Sequence, residues 1–194
     1  MLGQIKTARG IDTMPLETIF LEEGRDLFIN GEITSSVANE FCEQFVYLLR
    51  KKNEPIRVWI SSCGGSVEAG LRIYDMITVT KVPVYTIAYG PAYSMAGVLL
   101  ASGTDGCRLM LPHSKMMLHP VRFEGELDGG VKDLQAKSDI LQEYEYITNS
   151  ILANHSGRTL EQIVCENSKD HYYSVREAIA YGYVDREVTI DDLL

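Results

Sequence analysis

The chain has no Cys-x-x-Cys pair. Its four cysteines, Cys42, Cys63, Cys107 and Cys165, are scattered, so neither a zinc site nor a dithiol redox motif is suggested, and free thiols in a reducing compartment are expected. Basic residues are not in excess. Eighteen Lys and Arg against 27 Asp and Glu leave a formal charge of −9, and so acidic a chain has no broad basic face for a nucleic-acid backbone. No apolar run approaches the ~20 residues that span a bilayer. The first ten residues lack the apolar core of a secretory signal. The expectation is therefore a cytoplasmic protein with no membrane and no nucleic-acid partner. Internal repeats, linkers and low-complexity segments are also missing, and there is no Gly-x-x-x-x-Gly-Lys-Ser/Thr loop to cradle a nucleotide.

What is there fits a single domain spanning residues 1–194, long enough to bury a core. Residues 1–25 have weak periodicity and are expected to form a mobile N-terminal segment. From Leu27 onward, strand-like and helix-like stretches alternate. Leu27–Ile29, Arg57–Ile60, Val84–Ala88, Arg108–Leu111 and Lys115–Leu118 read as strands, being rich in β-branched and large apolar residues. Gly90 and Pro91 are expected to break the third of them. Thr34, Ser35 and Ser36 offer N-caps for a helix with Val37, Phe41, Phe45 and Leu48 on one face, and Val67–Ile77 reads as a second helix. Repeated strand–helix–strand units imply parallel strands with right-handed crossovers. Between residues 131 and 154, Val131, Leu134, Leu141, Tyr144, Ile147 and Ile151 mark a long amphipathic helix closed by His155-Ser156-Gly157. It is longer than a small sheet needs as cover, so it is expected to project and pack on another subunit. Thr159…Gln162 and Ser174…Glu177 are capping boxes.

Ser94 stands between the end of the Val84 strand and a small-sided apolar stretch, Met95–Gly103. A hydroxyl at a strand-to-helix junction is presented beside the N–H groups of a positive helix end. Acyl chemistry needs both, a nucleophile and donors for an oxyanion. Serine is also a favoured N-cap, and that role alone accounts for an isolated Ser94. Gly64 and Gly65 end the preceding strand, and glycine there lets a substrate carbonyl approach; a plain tight turn explains them equally well in isolation. Functional groups of open parallel sheets gather beyond the carboxyl ends of the strands. For the general base, His155 reads as a charged C-terminal cap and His113 as a solvated turn residue. His119 ends an apolar strand and His171 sits in a loop before a capping box; the residues alone leave both open. Cys63 has no histidine or cation nearby in sequence to activate it as a nucleophile.

Four blocks carry a resemblance. Ser62-Cys63-Gly64-Gly65-Ser66…Ala69-Gly70…Ile73-Tyr74-Asp75 is similar to the Ser-Pro-Gly-Gly…Ala-Gly…Ile-Tyr-Asp block of the ClpP family, the proteolytic subunits of ATP-dependent Clp proteases. Gly90-Pro91-Ala92-Tyr93-Ser94-Met95-Ala96 resembles its Gly-Gln-Ala-Ala-Ser-Met-Gly segment. Leu111-Pro112-His113-Ser114…Met117-Leu118-His119-Pro120 resembles Leu-Pro-Asn-Ser…Met-Ile-His-Gln-Pro. Thr159–Ile163 and Lys169–Asp185 track the family's C-terminal third. The resemblance implies an α/β fold of the ClpP/crotonase type, a ββα superhelix with a protruding handle helix. It implies a serine endopeptidase acting on unfolded proteins and peptides, with Ser94 as nucleophile, His119 as base, Asp170 orienting His119, and the N–H groups of Gly65 and Met95 as the oxyanion hole. It further implies no cofactor, ATP being used only by a partner AAA+ unfoldase, and a homo-oligomer of two stacked heptameric rings. Two alternatives stay open: a non-catalytic or weakly active ring subunit, and a crotonase-like thioester enzyme. Cys63 stands where the family has proline, and Arg57 where its ATPase-docking pocket has an aromatic residue. Lys169 replaces an arginine, and the segment from Pro120 to Gly125 departs from Gln-Pro-x-Gly-Gly.

Overall fold

Leu2–Thr7 (β1) and Gly10–Pro15 (β2) pair antiparallel as a separate two-stranded sheet. A four-residue helix, Leu16–Ile19 (α1), and a π-turn, Phe20–Gly24, lead into the main sheet. The computed structural model describes residues 1–7, 10–123 and 129–193. Glu124 and Gly125 of the divergent segment therefore lie outside the described residues.

The first crossover is Asp26–Ile33 (β3), Ser35–Lys51 (α2) and Ile56–Gly65 (β4). The Thr34 hydroxyl accepts the N–H of Val37 at 3.3 Å, so the helix starts at the cap expected of it. Its far end is held by Arg25, whose guanidinium donates to the carbonyls of Leu48, Lys52, Glu54 and Pro55. The second crossover is Val67–Val79 (α3), capped by Ser66, leading to Val84–Tyr93 (β5). Met95–Ala101 (α4) follows, every residue of it buried. Arg108–Met110 (β6), Lys115–Leu118 (β7), Val131–Ser156 (α5), Leu160–Glu166 (α6), His171–Tyr173 (β8), Val175–Ala180 (α7) and Arg186–Glu187 (β9) complete the order.

The sheet runs β3-β4-β5-β6-β9, all parallel, with β7 joined to β5 and β8 joined antiparallel to β7. The mixed α/β architecture with a central parallel sheet is the one expected. Leu27, Ile29, Ile60, Phe45, Ile73 and Leu99 are fully buried between it and the helices. On the other side Trp59, Ile87, Leu109 and Val188 form a smaller cluster. The Trp59 indole N–H donates to Asp26 at 2.7 Å.

Gly90 and Pro91 do not break β5. The strand continues to Tyr93 because it exchanges neighbours: Thr86–Ala88 pair with β6, and Pro91–Tyr93 pair with β7. Gly64 and Gly65 likewise remain in β4, opposite Glu32 and Ile33 after a bulge. Within α5 the two halves differ. Thr148, Asn149, Ile151 and Leu152 are buried, whereas Val131, Leu134 and Ile140 are exposed.

Candidate active site

Ser94 adopts φ 56°, ψ −127°, a backbone conformation that a side-chain-bearing residue occupies only at a cost of ~1–3 kcal/mol. The surroundings enforce it. Its N–H donates to Met117 O at 2.7 Å, and its carbonyl accepts the N–H groups of Gly97 and Val98. The hydroxyl makes no capping bond to the helix. The N-cap explanation of this serine therefore fails, and the Oγ is left for other work. A sharp turn of this kind between strand and helix is how a nucleophilic serine is presented in several hydrolases.

Gly64 packs against it. A Cβ there would sit 2.6 Å from Ser94 Cβ and 3.1 Å from Oγ, and its φ of +95° already favours glycine. Gly65, Ser94, Met95 and His119 line one cavity of about 610 Å³. The first N–H groups of a helix lack intrahelical acceptors, which leaves Met95 N–H available beside the Ser94 hydroxyl.

His119 directly follows β7 and is half-buried. Its Nδ1 lies 2.6 Å from Pro120 O. A carbonyl only accepts, so this contact requires the proton on Nδ1 and leaves Nε2 as the basic nitrogen. Asp170 is exposed and ion-paired with Arg122, and it is not among the residues that line the cavity. Ser94 and His119 are thus brought together, while the carboxylate of Asp170 faces a different partner. The backbone nonetheless keeps it close. The β7–β8 ladder ends with Leu118 opposite His171, and His119 and Asp170 are the residues that adjoin that last pair.

Two histidine readings are corrected. His171 lies in β8 and not in a solvated loop, its ring stacked on Tyr173 with centroids 4.1 Å apart. His155 is no charged cap: burial and then the nearby Arg108 charge hold its pKa below the ordinary 6.5, and its ring meets Tyr74 edge-on. His113 is exposed, as expected. Cys63 is exposed and lines the cavity. Arg57 is turned to Asp26 at 2.6 Å and to the Leu193 carbonyl.

Sequence reasoning missed three residues of this region. Arg122 is 48 positions from the carboxylate it pairs with, and nothing local signals that contact. Asn149 and Asn167 are each 3% exposed and line the same cavity; a polar residue on the packed side of the long helix was the available signal. Among the described residues no group of His, Cys, Asp and Glu side chains is arranged to hold a metal ion, and no helix is long and apolar enough to cross a membrane.

Residues 15–190 match the model of the family described as Clp protease. A Synechococcus sp. (strain CC9902) protein named ATP-dependent Clp protease proteolytic subunit 3 is 39% identical over 166 residues, 85% of this chain and 82% of that protein. The ATP-dependent Clp protease proteolytic subunit 2 of Prochlorococcus marinus (strain MIT 9312) is 37% identical over 166 residues, 85% and 81% of the two chains. That of Bifidobacterium longum (strain NCC 2705) is 31% identical over 183 residues, 93% and 87%.

Proposed function

The chain belongs to the Clp protease family, and from that premise we propose that it is a serine endopeptidase whose reaction runs through Ser94, His119 and Asp170. The single observation that carries this assignment is the strained, uncapped Ser94 facing a cavity it shares with His119. In the proposed cycle Ser94 Oγ attacks the scissile carbonyl and His119 Nε2 takes its proton. The same proton then goes to the leaving amine as the acyl-enzyme forms. Water, deprotonated by His119, attacks the acyl carbon, and Ser94 recovers its proton as the product acid departs. The N–H groups of Gly65 and Met95 hold the oxyanion, an effect of ~3–4 kcal/mol for one donor in a related chemistry. Asp170, once turned to His119 Nδ1, stabilises the imidazolium.

The substrates in this reading are unfolded polypeptides delivered by a Clp-type AAA+ ATPase, which alone consumes ATP. The whole chain acts as one domain, in the cytoplasm and without a cofactor. The exposed rings of Phe20, Phe28 and Tyr89 support an apolar docking surface for that partner. The exposed apolar residues on the first half of α5 support assembly with further copies, as two stacked heptameric rings. A second reading, a ring subunit of weak activity, is favoured by the Asp170–Arg122 pair and the His119–Pro120 contact.

Intact-mass analysis with a fluorophosphonate tests the assignment. One adduct on Ser94, absent in Ser94→Ala together with all peptide cleavage, is the expected result. Labelling elsewhere, or cleavage retained in Ser94→Ala, would refute it. An adduct on Ser94 without peptide turnover would select the second reading.

A further inference from the structure

We propose that the cavity beside Ser94 selects a substrate side chain ending in a carboxamide, glutamine foremost, on the acyl side of the scissile bond, and that Asn149 and Asn167 read it. The inference rests on the peptidase assignment above. Asn149 comes from the buried half of α5 and Asn167 from the end of α6. Each is 3% exposed. Asn167 Nδ2 donates to Asn149 Oδ1 at 2.9 Å. Two polar groups of the pair are left over. Asn167 Oδ1 is buried without a hydrogen-bond partner, and among the described residues the Asn149 NH2 group has none either.

A pair serving only to join two helices would be expected to satisfy itself, because an unpaired buried amide is costly. This pair instead lines the cavity that holds Ser94 and His119. The neighbouring wall is apolar, with Met95, Val98 and Leu152 almost fully buried. Such a slot suits a side chain with a hydrocarbon stem and a polar end.

The leftover groups are one donor and one acceptor. A carboxamide offers the complementary acceptor and donor. Turning both asparagine amides over exchanges their roles and still leaves one of each, so the match does not depend on their orientation. A carboxylate would meet the Asn167 carbonyl oxygen with like polarity, and the two basic side chains of the cavity, Arg122 and Lys137, face Asp170 and the Phe123 ring. A leucine would cover both groups and satisfy neither. Sites built to hydrogen-bond a side chain discriminate strongly against analogues that lack the bond.

The test uses peptide coumarylamides that differ only in the residue before the scissile bond: glutamine, leucine, glutamate or lysine. The expected kcat/KM is at least about tenfold higher for glutamine than for leucine or glutamate. Asn149→Asp is isosteric and keeps the bond from Asn167, but turns the free donor into an acceptor; it should erase the glutamine advantage and raise the lysine rate. Fluorophosphonate labelling of Ser94 is measured alongside in both proteins. Leucine hydrolysed as fast as glutamine by the parent, or an unchanged glutamine advantage in Asn149→Asp, would overturn this inference while labelled Ser94 upholds the peptidase assignment. A parent Ser94 that takes no label would overturn both.

Discussion

Arg122 holds Asp170 in an ion pair, while Asp170 and His119 both adjoin the Leu118–His171 pair that ends the β7–β8 ladder. The two residues are therefore neighbours by backbone position, while their side chains take other partners. Meanwhile Pro120 O keeps the His119 proton on Nδ1. A neutral carbonyl sets the tautomer, but it stabilises the imidazolium less than a carboxylate does. Reorientation of two side chains, with no change of strand pairing, separates this arrangement from a Ser–His–Asp relay.

Arg122→Gln should accordingly raise kcat/KM for a small peptide. Both partners are about half-exposed, where such a pair is worth at most ~1 kcal/mol, so the gain is limited to about fivefold. Raised ionic strength should produce part of the same gain in the parent. A fall in activity in Arg122→Gln would mean that Arg122 supports Asp170 in the working state.

Gly64→Ala should abolish peptide cleavage. The added methyl meets the Ser94 Cβ and the Tyr93 carbonyl, both under 3 Å, at a backbone angle that alanine resists. Relief requires Ser94 to move, and small misplacements of a reacting group cost about a hundredfold in rate. Circular dichroism and light scattering should show a folded, assembled protein. Peptidase activity within threefold of the parent would remove the close approach from the mechanism.

His155 should make the protein acid-labile. Its folded pKa lies below 6.5, so the unfolded chain takes up the proton first. Stability is then complete above about pH 6.5 and declines as pH falls toward the folded value. His155→Phe keeps a ring against Tyr74 and removes the titration. Melting temperatures between pH 7.5 and 5.5 should fall less steeply in the variant; equal slopes would exclude His155 as a source.

Asp185→Asn should destabilise without touching the site. Asp185 accepts from the Arg108 backbone and side chain, and the same guanidinium donates to the carbonyls of His155 and Gly182. Burial opposes its ionisation, yet these bonds hold its pKa below the ordinary carboxylate value. Removing one partner of a buried pair costs ~3 kcal/mol, or about 6–12 °C in melting temperature for a chain of this length. A shift below 2 °C would show that Arg108 is satisfied by the carbonyls alone.

Much of this was legible in the residues because it is local. Thr34, Thr159 and Ser174 each cap the helix that follows, and a cap needs only three residues to form. The exchange of neighbours in β5 was not legible, since Gly90 and Pro91 look like an end and only a strand 24 residues further on makes them a continuation. His171 was misjudged for the same reason: its place is set by pairing with β7 and by stacking on Tyr173, not by the polar residues before it. The strain at Ser94 lies between the two cases. Its junction was visible, but its φ is imposed by Met117 O, from a strand still to come.

The fork in the sheet has a consequence for the whole subunit. Beyond Ala88, β5 parts from β6, keeps β4 beside it at Ala92 and pairs with β7, which carries β8; these two strands are four and three residues long. Ser94, His119 and Asp170 all follow directly from, or directly precede, strands of that narrow prong. Ala92, Met116, Leu118 and Tyr173 of that prong belong to the main core, while the side chains of His119 and Asp170 lie outside it. In the proposed reading, the two side chains that must turn are the ones solvent and partners can reach, so activity can be adjusted from outside while the fold stays where it is.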